Sequence, residues 1–82
     1  MTPNTLIQHL GLSQHSQGSD AFLWAALKGL QMAIDNNYSL PTDSTNPIRN
    51  ILGGLEAMLG SDSWAMQQLR SRLNTEAERH SR

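Results

Sequence analysis

Three histidines, His9, His15 and His80, are the residues of this 82-residue chain best suited to bind a metal or move a proton near neutral pH. A helical metal pair needs two ligands three or four positions apart on one face. The histidines fall on three separate segments, and none has such a partner. The absence of Cys removes disulfides and Cys-type zinc sites. The seven carboxylates stand singly except for Glu76 and Glu78, which point to different sides of a helix. No nucleophile-elbow, metalloprotease or phosphate-loop pattern occurs, and Gly53-Gly54 sits inside a helical apolar pattern rather than between a strand and a helix. No catalytic residue, cofactor or metal is expected.

The run Gly60-Ser61-Asp62-Ser63-Trp64 resembles, over those few residues only, the phosphopantetheine-bearing turn of acyl carrier proteins. In that family of small four-helix domains the modified serine follows an aspartate at the start of the second helix. Here the run comes too late, with 19 residues after Ser63, and the second helix opens Gly18-Ser19-Asp20-Ala21, with alanine in the serine's place. A net charge of −1 is also far less acidic than the family's. Ser61 reads instead as a helix cap.

Four helical segments have to position whatever the chain uses, at about residues 3–10, 20–36, 47–59 and 62–79. Thr2 and Pro3 make a start signal for the first, and Gly11 with Leu12 reads as an ending in which Leu12 folds back onto Ile7. Ser19 reads as the cap of the second, with Asp20 at the positive end of its dipole. Steps of about 100° place Phe22, Leu23, Ala26, Leu27, Leu30 and Ile34 on one broad stripe. Asn36-Asn37 is a stop signal, because Asn tolerates the left-handed conformation. After the longest connection, 38–46, Asn46-Pro47 starts the third segment, with Ile48, Ile51, Leu52, Leu55, Met58 and Leu59 as its stripe. Gly53 and Gly54 there read either as a close approach of another helix or as a kink. The fourth segment carries Met66, Leu69, Leu73 and Ala77, and Glu78 to Arg82 is spaced for an ion pair.

The fold class is therefore all-α, a small four-helix bundle or orthogonal four-helix array in one domain. A pI near 6.2 argues against a general binder of nucleic acid or anionic membrane. No apolar run is long enough to span a bilayer, and residues 1–12 lack the basic start and apolar core of a signal peptide, so the expectation is a cytoplasmic protein with no membrane contact.

The stripes leave two large residues over. Trp24 falls about 60° beyond the edge of its stripe, beside Lys28, Gln31 and Asp35. Trp64 lies opposite Leu69 and Leu73, beside Gln68 and Ser71. Either neighbouring elements cover them, or they form an apolar contact surface rimmed by Lys28, Gln31, Gln68 and Arg72. The second reading makes the chain a non-enzymatic adaptor, accessory or inhibitor protein that binds a protein partner, with a homodimer as one form of it. The alternative is a helix-turn-helix-like DNA binder, with Gln67, Gln68, Ser71, Arg72 and Thr75 on the outward face of the fourth segment. The acidic balance disfavours it.

Overall fold

A computed structural model describes residues 1–42 and 45–80, the last five of these by backbone alone. It contains four helices: α1 (Pro3–His9), α2 (Ser19–Asp35), α3 (Pro47–Leu59) and α4 (Trp64–His80). No strand occurs among the described residues, so the all-α expectation holds. The Cα radius of gyration is 12.1 Å.

The punctuation of the chain explains where most helices start and stop. Thr2 Oγ1 accepts from the Thr5 N–H at 3.2 Å, and Pro3 takes the first turn. Asn46 Oδ1 accepts from the Ile48 N–H at 2.9 Å ahead of Pro47. Each bond satisfies a donor that the helix itself leaves orphaned. At the end of α1, the Gly11 N–H donates to the Gln8 carbonyl (3.1 Å) and the Leu12 N–H to the Ile7 carbonyl (2.9 Å), with Gly11 at φ 70°. That is a Schellman ending, and it buries Leu12 against the core. The end of α2 repeats it: the Asn37 N–H donates to Ile34 (3.0 Å) and the Tyr38 N–H to Ala33 (2.9 Å), with Asn37 at φ 78°.

Two caps differ from expectation. Ser19 is the first residue of α2 and does not cap it; the cap position belongs to Gly18, which offers no side-chain bond. The nearby serine hydroxyls act within the preceding loop, where Ser16 Oγ accepts from the Ser13 N–H and Ser13 Oγ from the His15 N–H. At α4 the cap is Ser63, whose Oγ accepts from the Met66 N–H at 3.3 Å, and the helix starts at Trp64 rather than 62. Ser61 and Asp62 are spent on a turn closed by the Ser63 N–H donating to the Gly60 carbonyl. A hydroxyl two residues too early cannot reach the third amide of the helix.

One core joins all four helices: Leu6, Ile7, Leu10 and Leu12 from α1 and its ending, Leu23, Leu27 and Leu30 from α2, Ile51 and Leu55 from α3, and Met66 and Leu69 from α4. Three residues expected in the stripes are exposed instead. Phe22 is exposed because the core stripe of α2 centres on Leu23, Leu27, Leu30 and Ile34, about 100° round the helix from it. Met58 and Leu59 occupy the last turn of α3, beyond the final buried residue Leu55. Ala77 and the Glu78–Arg82 pair lie outside the described side chains.

The glycines of α3 read as a close approach, and the close neighbour is the 38–42 connection together with α2. A Cβ on Gly54 would stand 2.6 Å from Leu40 Cδ2 and 3.3 Å from Leu30 Cδ1; one on Gly53 would meet Pro41 at 3.5 Å. The connection therefore packs on α3. Gly29 differs. It stands mid-helix in α2, where glycine costs about 0.5–1 kcal/mol against alanine, yet a Cβ there would meet nothing within 4 Å.

Candidate interaction surface

The Phe22 and Trp64 rings meet edge to face, with centroids 5.0 Å apart and planes at 83°. Such a pair contributes about 0.5–1.5 kcal/mol beyond area burial. Both rings nonetheless face solvent, Phe22 at 60% and Trp64 at 49% of full exposure. The first turn of α2 presents Phe22, and the Ser63 cap fixes Trp64 as the first residue of α4. Met58 and Leu59 end the helix just before the 60–63 turn and are each 42% exposed. Four large apolar side chains open to water thus lie in the first turns of α2 and α4 and the last turn of α3.

Trp24 lies on another side of α2, about 200° from Phe22, so the two tryptophans do not share a surface. Trp24 is half-buried and packs against the core. With Ile7 it forms the apolar part of an open groove of about 410 Å³, bordered by Asn4, Gln8, Ser13, Gln14 and Lys28. The short first helix borders the same groove through Asn4, Ile7 and Gln8. Gln31, expected on a partner-binding rim, holds α1 to α2: its Oε1 accepts from the Asn4 N–H at 3.2 Å, and its Nε2 donates to Asp35 Oδ1 at 3.2 Å.

Arg72, expected to point outward, turns inward. Its guanidinium donates to the Leu10 carbonyl at 3.2 Å and stands 3.8 Å from Asp20 Oδ1. It therefore joins α4 to the end of α1 and the start of α2. Arg70 pairs with Glu56 of α3 and donates to the Ser61 carbonyl. Of the outward face expected of α4, Gln67, Ser71 and Thr75 are exposed and Gln68 is half-buried.

Sequence reasoning missed Phe22 and Met32, the two most exposed large apolar residues, at 60% and 62%. Centring the helical wheel on Leu23, Leu27, Leu30 and Ile34 would have placed both off the stripe. Among the described residues no three of His, Asp or Glu gather as a metal ion would require, and no described helix is long and apolar enough to cross a membrane. No family model, curated protein or solved structure matches the chain.

Proposed function

We propose that the protein is a non-catalytic interaction module, a small adaptor, accessory or inhibitor that docks a protein partner on the Phe22–Trp64 surface. The observation that carries this reading is the edge-to-face pair itself. It sets two aromatic rings in one arrangement and leaves more than half of Phe22 and about half of Trp64 in water. Aromatic anchors of this kind dominate binding energy in many interfaces, and rings already held in place lose less freedom on binding. Met58 and Leu59, in the last turn of α3, are exposed as well, and Gln68 lies one turn beyond Trp64 on α4.

Trp24, Lys28 and Gln31 support this reading less, because Trp24 is half-covered and Gln31 is engaged in docking α1. The DNA-binding alternative also draws less support, since Arg70 and Arg72 both make contacts within the fold.

The test is affinity capture from native-host extract with wild-type protein and with Phe22→Ala and Trp64→Ala variants. A partner retained by the wild type and lost from both variants, with their melting temperatures nearly unchanged, supports the reading. Equal retention by all three sinks it.

A further inference from the structure

The geometry points to a second copy of this chain as the occupant of the outer face of α2, in an isologous antiparallel pairing of α2 with its twin. This deepens the interaction reading and shares Phe22 with it.

The outer face of α2 carries Phe22, Ala25, Gly29 and Met32, with Ala26 and Ala33 towards the core side. Its two large residues stand clear of the helix, and between them lies a shelf of alanine and glycine. Of the six glycines, Gly11, Gly18 and Gly60 adopt positive φ, and Gly53 and Gly54 abut Pro41 and Leu40. Gly29 has no such use inside the monomer: its backbone is helical and its Cβ direction is open. A smooth place at that position serves something approaching from outside.

The spacing fits a twin. In a two-fold interface, if residue i meets residue j then j meets i. An antiparallel pair with its axis beside position 27 sets Ala25 of one copy against Gly29 of the other, twice. The same register sets Phe22 against Met32 at both ends, about 15 Å apart along the helix at about 1.5 Å per residue. Small residues oppose small ones at the centre, where the backbones come close. At each end a thioether meets an aromatic ring, a favourable contact. One register satisfies both pairings.

Area sets the strength. The exposed parts of Phe22, Met32 and the small residues between them amount to roughly 600–700 Å² over two copies, well inside the weak, transient class below about 1,200 Å². A dimer in fast exchange follows, half-formed somewhere between micromolar and millimolar protein. Lys28 flanks the face close to the two-fold axis in each copy, so salt, by screening that like-charge pair, should tighten the dimer.

Sedimentation equilibrium of the full chain across that concentration range tests the proposal. The expected result is a monomer–dimer equilibrium, weakened about tenfold or more by Gly29→Leu and also weakened by Met32→Gln. Circular dichroism should show the helicity of both variants intact, since Gly29 faces open space and Met32 faces water. Should Gly29→Leu lose helicity, Met32→Gln alone decides. A wild type that stays monomeric at millimolar concentration overturns the second-copy proposal and leaves partner docking on Trp64 standing. Dimerisation unchanged by Gly29→Leu with helicity intact, or by Met32→Gln, overturns it too, as does growth beyond a dimer, which a closed two-fold contact forbids. Gly29→Leu keeps the Phe22–Trp64 pair, so loss of the dimer with retention of the captured partner separates the two readings.

Discussion

The Arg72 guanidinium donates to the Leu10 carbonyl across 62 positions of sequence. Leu10 is the C-cap of α1, so the bond satisfies one of the carbonyls a helix end leaves without a partner. The same side chain lies near Asp20 in the first turn of α2. Arg72→Ala should destabilise the fold by about 1.5–3 kcal/mol, the range for hydrogen bonds to a charged group. In a domain of this size that lowers the melting temperature by about 4–8 °C per kcal/mol. Arg72→Lys should recover part of the loss, because an ammonium keeps the charge without the planar fork. An Arg72→Ala melting curve that overlays the wild type would show the bond to be dispensable.

Three glycine-to-alanine substitutions should rank in a fixed order. Gly29→Ala gains helix propensity with nothing in its way, so stability should rise by about 0.5–1 kcal/mol. Gly53→Ala meets Pro41 at an ordinary contact distance of 3.5 Å and should gain less. Gly54→Ala places a methyl against Leu40 and against Leu30, which is fully buried and has no room to retreat. It should lose about 1 kcal/mol net, and Gly54→Val about 2–3 kcal/mol, as overpacked cores do. Urea melts of the four variants check the order; a stabilising Gly54→Ala would contradict the close approach.

Ser63→Ala should cost about 1 kcal/mol, the usual worth of an N-cap hydroxyl, while Ser61→Ala should be near neutral. Equal effects in thermal melts would place the start of α4 elsewhere.

The two indoles should differ in fluorescence. Trp24→Phe leaves Trp64, which is expected to emit towards the red and to be strongly quenched by iodide. Trp64→Phe leaves the half-covered Trp24, with bluer emission and weaker quenching. Indistinguishable quenching would mean that the two environments are alike.

The helices were legible wherever a local rule decides. Pro3, Pro47, Gly11 and Asn37 act through their own backbone preferences, and each marks the boundary it was expected to mark. Ser19 and Ser61 misled because a serine is a cap only when its hydroxyl lines up with the third amide, and several serines crowd each junction. Phe22 misled because a broad stripe drawn from apolar identity ignores which part of it meets another helix. Arg72 was unreadable from its own segment, since its acceptor lies far away in sequence. Trp64 was singled out correctly as a residue the stripe does not explain, but nothing local indicated that Phe22 would stand against it.

The bond from Arg72 to Leu10 also sets an order of events. The seven residues of α1 are too few to hold a helix on their own, and their last turn is tied down by a side chain near the other end of the described chain. On the ribosome, the opening segment leaves the tunnel long before residue 72 does. It is therefore made well before the side chain that anchors it and is among the last parts to settle, and a protease acting on the nascent chain would find it open until α4 arrives.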